Sequence, residues 1–296
     1  MAQAQDIASA SGSPASHALA DFTRNIAFEL AAGTAELPSF PEVALRVREA
    51  LANESIAIDD VVRLVSAEPS LAVRLLQLAN SVALNPGAQR ITTLRTAIAR
   101  IGFNLARSAT IAFAMSQMRR AQAWRGLEAR FREIWEASAR LAAMSYTIAR
   151  HAGRVDADLA LFAGMLHAVG KLFVLTRVSR FPALLSDEVL YAEIETVWHA
   201  RAARTLLARW ELAPEVLDAA CDFDQAHGAH AEVATLSDVL LAARYLVNVR
   251  EPSDLANAAF LNSPAYARLG IEAADALRLL NEAGAEIASL RAALAD

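Results

Sequence analysis

The sequence predicts an all-α protein, and two observations carry that prediction. Ala, Leu, Arg and Glu, which are strong helix formers, are abundant, whereas the 296 residues include only 11 glycines and 9 prolines. Apolar residues recur with helical periodicity almost throughout, and no segment shows the sustained alternation of a half-buried strand. A chain of this length can bury a large core, either as one elongated domain or as two compact ones.

The first helices are predicted from their capping residues. The start of the chain is rich in Ser, Ala and Gly, and we expect it to be disordered to about Ala18. Asp21 can cap a helix that ends at Gly33. Ser39 can cap the next helix, with Pro41 near its first turn, where the missing N–H of proline costs nothing. The N-terminal part of the chain is therefore predicted to hold two successive helices.

Three further helices of the first half also carry start signals. Asp59 and Asp60 open one helix, Pro69 opens the next, and Thr92 or Thr93 caps the helix "LRTAIARIG". The segment that follows, "NLARSATIAFAMSQM", is apolar on most sides and is predicted to be buried.

The stretch "RAQAWRG" is predicted to join two lobes. The second lobe begins with a long helix from about Leu127 to His151, followed by an apolar helix that contains His167 and by helices from Leu190 and Pro214. The apolar face of the last helix could support self-association, as in a homodimer, or dock on the core. The predicted divisions are a disordered segment over residues 1–18, an N-terminal helical lobe over 19–122, a second helical lobe over 123–250 and a C-terminal helical extension over 251–296.

Cysteine content and hydropathy exclude several classes of protein. Cys221 is the only cysteine, so one chain cannot form a disulfide framework or a thiolate metal cluster, and the adjacent Asp222 should raise the thiol pKa. The N-terminus lacks the basic and apolar regions of a secretory signal. The longest apolar stretch, Leu159 to Thr176, contains His167 and Lys171 and is predicted to be a core helix rather than a membrane span. We therefore expect a soluble, cytoplasmic protein.

Positive charge is concentrated in the first lobe, although the net charge of the chain is −5. No acidic residue occurs from Ser70 to Leu127, and the arginines of that stretch are Arg74, Arg90, Arg95, Arg100, Arg107, Arg119, Arg120 and Arg125. One interpretation is a cationic surface for an anionic ligand, nucleic acid or an acidic partner. The favoured interpretation is a solvated face whose counter-charges come from elsewhere, such as the stretch from Asp187 to Glu195. Nucleic acid is therefore not the expected partner.

Three sequence blocks carry a resemblance to a known family. They are "LPSFPEVALRV", "AEPSLAVRLLQLANS" and "ITTLRTAIARIG", and they occur in this order and spacing. With them the chain strongly resembles the HDOD family, a branch related to HD-type phosphohydrolases, from about Glu36 to about Val249. The resemblance implies an N-terminal helical lobe packed on an HD-like helical lobe. It also implies a regulatory or signalling role, often in bacterial two-component or second-messenger networks.

The resemblance also indicates where an active HD-type enzyme would hold its divalent metals. Such an enzyme needs several His and Asp ligands on neighbouring helices and an open position for an activated water. Of the expected ligands only His167 stays in place, and one imidazole does not hold a catalytic metal. The other positions are taken by Ala137, Ala168, Asp222, Phe223 and Ala243. We therefore predict a dismantled site with no catalytic residue, no metal and no cofactor.

Other histidines offer weaker candidates for a site. His227 and His230 have a spacing that metals can use on a helix, but a polar loop between two helices is the simpler interpretation. His199 is expected to pack against Trp198 or Trp210, or to cap a contact, rather than to do chemistry.

Lys171 is the only lysine in the chain, and all the other residues counted together as Lys and Arg are arginines. Lysine is a compact point charge, whereas arginine is a planar fork that needs more room and more partners. Lys171 therefore either snorkels from the helix end or pairs with one buried carboxylate, or else it binds a ligand or a phosphate group.

The favoured hypothesis is a non-catalytic signalling module that recognises another signalling protein. Its candidate contact region is the cleft around His167, Lys171 and His199. Arg74 and Asn80 belong to the same candidate set and are expected to be fixed contacts between the lobes. No receiver or cyclase domain is expected, so the chain should act in trans on separate components.

Three alternatives to that hypothesis stay open. The first is a sensor that binds a nucleotide second messenger in the vacated metal cleft, through Lys171 and first-lobe arginines. The second is a nucleic-acid binder with a steep salt dependence of affinity. The third is a degenerate metal-dependent phosphohydrolase with unorthodox ligands.

Overall fold

The computed structural model describes residues 14–37, 55–81, 90–210, 212–223, 233–249 and 263–294, with isolated positions between 44 and 50. Within these residues the chain forms helices and no strand, which confirms the predicted all-α class. The helices are α1 (Pro14–Ala31), α2 (Ile58–Ser66), α3 (Pro69–Ala79), α4 (Leu94–Arg120), α5 (Glu128–Ala152), α6 (Ala157–Leu166), α7 (Ala168–Val178), α8 (Pro182–Leu185), α9 (Glu188–Leu207), α10 (Pro214–Asp222), α11 (Leu236–Val247), α12 (Pro264–Leu269) and α13 (Ala273–Leu294). Short 3₁₀ turns follow α4 and α9.

Local start signals account for the bounds of several helices. Pro69 is the first residue of α3, and α2 carries Asp59 and Asp60 in its first turn, as predicted. Of the two capping candidates before α4, Thr93 is the one used, because its side chain accepts a hydrogen bond from the Thr96 amide at 3.2 Å.

Helix α4 is broken at Gly102, where φ is 74° and ψ is 167°. Glycine adopts this conformation without the strain that a Cβ would cause, so the chain can change direction inside the helix. The apolar segment after the break is buried, as predicted, and includes Phe113 and Met115.

The N-terminal helix differs from the prediction. Helix α1 begins at Pro14, well before the predicted cap at Asp21. Residues 14–18 are therefore helical and do not belong to a disordered lead-in. Residues 1–13 lie outside the described part of the chain, as does the helix start predicted at Ser39.

Two hydrophobic cores correspond to the two lobes. The first-lobe core is built mainly by α2, α3 and α4, and Ala142 of α5 and Leu161 of α6 extend it. The larger core is built mainly by second-lobe helices and includes Phe131 of α5 and Phe162 of α6, together with Met115 of α4. Because α4, α5 and α6 contribute to both cores, the lobes meet through a continuous apolar interface.

Helix α1 packs on the second lobe, although residues 19–122 were expected to form the N-terminal lobe. Its buried side chains, Phe22, Ile26 and Leu30, belong to the larger core, and the helix contacts α7, α8 and α9. The ring of Phe22 meets the ring of Phe181 edge-on at 5.9 Å. The predicted boundary is therefore wrong for this helix, because its apolar stripe is complementary to the second lobe.

Residues 263–284 of the predicted C-terminal extension pack on the second lobe. Asp238 in α11 is fully buried, and Nε of Arg268 in α12 donates to its Oδ2 atom at 3.0 Å. Ala276 and Leu279 of α13 are buried in the larger core, and α13 packs along α5. The first part of the apolar face of the last helix therefore docks on the core, which was one of the two expected roles of that face.

One apolar stretch, Ala157–Val178, could cross a membrane by length and composition alone. Within the structure 89 % of it is buried, and His167 divides it into α6 and α7. The stretch predicted as one core helix over Leu159–Thr176 is therefore a pair of core helices.

The stretch from Asp187 to Glu195, suggested as a source of counter-charge for the first-lobe arginines, forms its ion pairs with Arg130 and Lys171. Arg95 instead pairs with Asp59 of α2, within its own lobe. The predicted source of counter-charge is therefore wrong for this arginine.

Replacing Arg268 with Met should destabilise the protein by about 3 kcal/mol, because the buried Asp238 carboxylate would lose its cation. Arg278→Met is the matched control, since it removes the same charge from a pair whose arginine is 54% and whose aspartate, Asp275, is 24% exposed, and it should cost less than about 1 kcal/mol. Urea unfolding measures both free energies. Equal losses in the two variants would contradict the importance of the buried pair.

Candidate functional site

The candidate site lies at the junction of α6 and α7, where His167 is 6 % exposed. Its Nδ1 atom lies 3.3 Å from the carbonyl oxygen of Ala220 in α10. Because a carbonyl can only accept, Nδ1 carries the ring proton. The ring of Phe223 meets the imidazole at 5.0 Å between centroids and 64° between planes. Helix α10 and the residue after it therefore close one side of His167.

Two glycines fix the position of the junction. A Cβ added at Gly170 would lie 2.0 Å from the carbonyl oxygen of His199, and one added at Gly164 would lie 2.7 Å from Cα of Ala142. Helix α7 therefore approaches α9, and α6 approaches α5, with backbone against backbone. His167 is three residues from each glycine and is held between these two contacts.

One face of α9 carries Tyr191, Glu195 and His199 at intervals of four residues, and His199 is the member of this row that contacts His167. His199 packs edge-on against His167 with ring centroids 5.4 Å apart, and its Nδ1 donates to the Glu195 carbonyl at 2.8 Å. The Glu195 carboxylate accepts from Nζ of Lys171 at 2.9 Å and from the Tyr191 hydroxyl at 3.2 Å. This carboxylate is therefore satisfied by protein groups.

The surroundings of His167 keep its imidazole neutral. Burial lowers the pKa of His167 well below its ordinary value, and Lys171, His199 and Arg244 lower it further. The hydrogen bond to the Ala220 carbonyl acts in the opposite direction but does not outweigh burial. The ring is therefore a neutral, hydrogen-bonded part of the core at physiological pH.

Lys171 pairs with one carboxylate, which was among the alternatives for this residue. Both partners are partly buried, with side-chain exposures of 26 % for Lys171 and 19 % for Glu195. Burial and the nearby Glu195 raise the pKa of Tyr191, so its hydroxyl stays protonated and donates to the pair.

Arg74 and Asn80 have a different environment from the other candidates. Nδ2 of Asn80 donates to the Ile91 carbonyl at 2.8 Å, and the Ile91 amide donates back to Oδ1 at 2.8 Å. Asn80 thereby ties the end of α3 to the segment before α4. The guanidinium of Arg74 is buried 5.9 Å from the ring centroid of Phe113 in α4. These contacts lie within the first lobe, and the role of the two residues as contacts between the lobes stays a prediction.

The structure therefore brings together His167, Lys171 and His199 of the predicted set. The ring of His199, which was expected to pack against Trp198 or Trp210 or to cap a contact, packs on the ring of His167. Sequence reasoning missed Glu195 and Tyr191, although Tyr191, Glu195 and His199 follow one another at intervals of four residues, which was a usable signal. It named Phe223 only as a missing ligand and did not find its contact with His167.

The positions where an HD-type enzyme would carry metal ligands are mostly apolar and buried. Ala168, Ala243 and Phe223 are almost inaccessible to solvent. In the described ranges no group of three His, Cys, Asp or Glu side chains could hold a metal ion. The second candidate pair, His227 and His230, lies outside those ranges.

The described residues around His167 do not fit the divalent metal that an HD-related fold implies. The carboxylate on the adjacent helix, Glu195, already binds Lys171, and the ring face is met by Phe223. A hard divalent cation needs several oxygen or imidazole ligands to replace its hydration water. The described side chains around His167 pack against one another and neutralise one another's charge. A metal centre requires ligand atoms that are free to bind the ion.

The single thiol is not suited to nucleophilic chemistry. Burial raises the pKa of Cys221 to about 12, and Asp222 raises it further while Arg204 lowers it. The direction agrees with the prediction from sequence, although burial rather than the adjacent carboxylate is the main cause.

The lobes and the helix junction at His167 define an all-helical protein of the HD-related class. The HDOD domain family matches residues 37–225, more than half of the chain. The chain therefore belongs to the HDOD family, which confirms the resemblance of the three sequence blocks. A comparison with functionally curated proteins gives no match.

Several solved structures share the fold. A Shewanella amazonensis SB2B protein, provisionally named a metal-dependent phosphohydrolase, is 20% identical with a TM-score of 0.69, covering 91% of this chain and 99% of its own. An HDOD domain protein of unknown function from Geobacter sulfurreducens is 23% identical, with a TM-score of 0.62. The match covers 91% of this chain and 96% of that protein. A Marinobacter aquaeolei VT8 protein, provisionally named a signal transduction protein, is 21% identical, with a TM-score of 0.60. The match covers 89% of this chain and 61% of that protein. At these identities the likeness is one of fold.

Replacing Gly170 with Ala should destabilise the protein by at least about 2 kcal/mol, because the new Cβ would collide with the backbone of α9, which cannot rotate away. Gly284→Ala is the matched control, since nothing lies within 4 Å of a Cβ there. In helix α13 that change should stabilise by up to about 1 kcal/mol through helix propensity. Thermal and urea unfolding measure both effects. A neutral Gly170→Ala variant would contradict the close contact.

The buried His167 should make stability fall with acidity. Its folded-state pKa is lowered, so the unfolded chain takes up the proton first, and stability is lost as pH falls from about 6.5 towards the folded-state pKa. The loss should approach about 1.4 kcal/mol per pH unit in that window. His167→Gln should flatten this slope, whereas His17→Gln, at an exposed position of α1, should keep it. The comparison is made by urea unfolding from about one pH unit above to about 1.5 units below the reference pKa of histidine. Parallel slopes in all three proteins would contradict the prediction.

Proposed function

We propose that this HDOD protein is a non-catalytic regulatory module that acts through protein–protein contacts in a bacterial signalling network. The observation that carries the proposal is the arrangement around His167, where packing and internal ion pairing take the place of an open ligand set. The proposed location is the bacterial cytoplasm, and the proposed partner is another signalling protein. The name of the Marinobacter protein that shares the fold is in keeping with such a role.

The charges near His167 disfavour metal catalysis. Lys171 and Arg244 both act on the imidazole as cations, and Lys171 also neutralises Glu195. A divalent cation brought to this point would meet the imidazoles of His167 and His199 together with two positive side chains. Activation of a water for phosphodiester hydrolysis requires the opposite arrangement, in which several anionic or neutral ligands surround the cation.

The same ion pair disfavours the nucleotide-sensor alternative at this place. Lys171 would have to leave Glu195 to bind a phosphate group, and a partly buried carboxylate would then lie unpaired beside an anion. A protein partner that binds the outer surface of the lobes imposes no such rearrangement. Protein recognition is therefore the function that the geometry supports best.

The purified protein, grown and dialysed without added chelator, should contain no stoichiometric metal by elemental analysis. Thermal-shift titration with Mg²⁺, Mn²⁺ and Zn²⁺ should leave the melting temperature unchanged, and a chromogenic phosphodiester should not be hydrolysed above the buffer rate. The physical reason is that, among the residues that the structure describes around His167, the carboxylate of Glu195 is already bound by Lys171 and no group of potential ligands could hold a metal ion. The His167→Gln variant should behave in the same way as the wild type.

A metal content near one per chain, lost in His167→Gln together with phosphodiester hydrolysis, would overturn the non-catalytic proposal. Saturable binding of a nucleotide that is lost in Lys171→Ala would instead support the sensor alternative, because only that alternative uses the Lys171 ammonium as a ligand.

A further inference from the structure

Helix α1 contacts the second lobe through an apolar face and an ion pair. Phe22, Ile26 and Leu30 are buried at intervals of four residues, whereas Phe28, on another face, is 74 % exposed. Such spacing is that of an amphipathic helix lying in a groove rather than of a helix buried on all sides. The groove is formed by α7, α8 and α9, and we call it the α1 seat.

A carboxylate receptor lies at one end of the α1 seat. Arg177 of α7 donates from Nε to Oε2 of Glu29 at 3.0 Å, and its Nη2 group binds the other carboxylate oxygen. This is the bidentate geometry in which arginine recognises a carboxylate with specificity. The side chain of Arg177 is 11 % exposed, so the pair is largely shielded from water.

The receptor is held in place by its own helix. The guanidinium of Arg177 lies 3.9 Å from the ring centroid of Phe173, and its Nη1 donates to the hydroxyl of Thr176 at 2.8 Å. Both supports belong to α7 and are independent of α1. A guanidinium oriented in this way can bind a carboxylate from another helix without first being ordered, and that favours binding.

Helix α1 lies outside the part of the chain that matches the family. The HDOD match begins at residue 37, after α1 has ended at Ala31. The segment between them stays on the second lobe, because the carbonyl of Glu36 accepts from Arg177 at 3.2 Å. The N-terminal segment therefore precedes the family match in sequence and covers a surface of the second lobe.

We propose that the α1 seat is the docking site for an amphipathic helix of a partner protein, and that α1 is its intramolecular occupant. The partner helix carries three large apolar residues at positions i, i+4 and i+8 and a carboxylate at i+7, which is the pattern of Phe22, Ile26, Leu30 and Glu29. If the α1 seat were empty, Arg177 would have no carboxylate partner in a place shielded from water. We therefore expect α1 and the partner helix to compete for the seat, so that one displaces the other. This rests on the proposed function and names the surface through which it operates.

The first test uses the full-length chain with α1 expelled from its seat. Ile26→Asp places a carboxylate in the core and should release α1, whereas Phe28→Asp adds the same charge at an exposed position of the same helix and should leave α1 in place. A fluorescent peptide of residues 14–32 is titrated into each protein and followed by anisotropy. We expect saturable binding to Ile26→Asp at least about tenfold tighter than to Phe28→Asp or wild type.

The second test examines the carboxylate receptor. A peptide that carries Glu29→Arg should bind the Ile26→Asp protein at least about tenfold more weakly, because it brings a cation against Arg177. The doubly substituted protein Ile26→Asp, Arg177→Glu should regain that peptide and lose the native one. Recovery of binding when both charges are exchanged is expected if Arg177 and residue 29 of the peptide contact each other specifically. It is not expected if the peptide binds only through nonspecific apolar contacts.

Three results would overturn the proposal. If Ile26→Asp has lost its helical signal and cooperative unfolding, α1 is an integral core element and no displaceable occupant. If the folded variant binds neither peptide, the seat is not a docking site. If the wild type is a dimer that exchanges α1 between copies, the seat belongs to a second copy of this chain. Each result is independent of metal content and hydrolysis, so it is distinguishable from failure of the proposed function.

Discussion

The close approach of α7 to α9 at Gly170 is the constraint on which the rest of the site depends. No side chain fits between the two backbones there, and the parallel contact at Gly164 fixes α6 against α5. His167 lies between these points, so its ring cannot move away from α9 and α10. The edge contacts with His199 and Phe223 follow from that position. The hydrogen bond to the Ala220 carbonyl then selects one tautomer.

The electrostatics of the site follow from the same packing. A buried imidazole that is also close to Lys171 and Arg244 is neutral, and the one carboxylate on the facing turn of α9 is bound by Lys171. Polar groups are thus satisfied by one another, which stabilises the core and leaves little ligand capacity for an external cation or phosphate. In such a fold, recognition is expected on outer surfaces, and helix α1 covers one that has a preformed carboxylate receptor.

Much of the fold could be predicted because its signals are local. Thr93 caps α4 and Pro69 opens α3 through contacts within a single turn, which the sequence alone specifies. The seat of α1 could not be predicted in this way, since an apolar stripe shows that a helix is buried and not against which lobe. The partner of Lys171 raised the same difficulty: a buried carboxylate was expected, but Glu195 lies on another helix. Long-range pairing depends on helix packing, which residue spacing does not encode.

Helix α7 shows why one lysine occurs in a chain that otherwise uses arginine. Lys171 directly follows Gly170, at the tightest helix crossing, where a slim side chain with a point charge reaches Glu195 across the contact. Arg177 lies six residues further along, about 9 Å along the helix axis. There α7 faces α1 rather than the tight crossing, and a planar fork has room to stack on Phe173 and grip both oxygens of Glu29. The two cations of α7 therefore have different roles. Lys171 neutralises Glu195 between α7 and α9, and Arg177 binds the carboxylate of Glu29 at the surface that α1 covers.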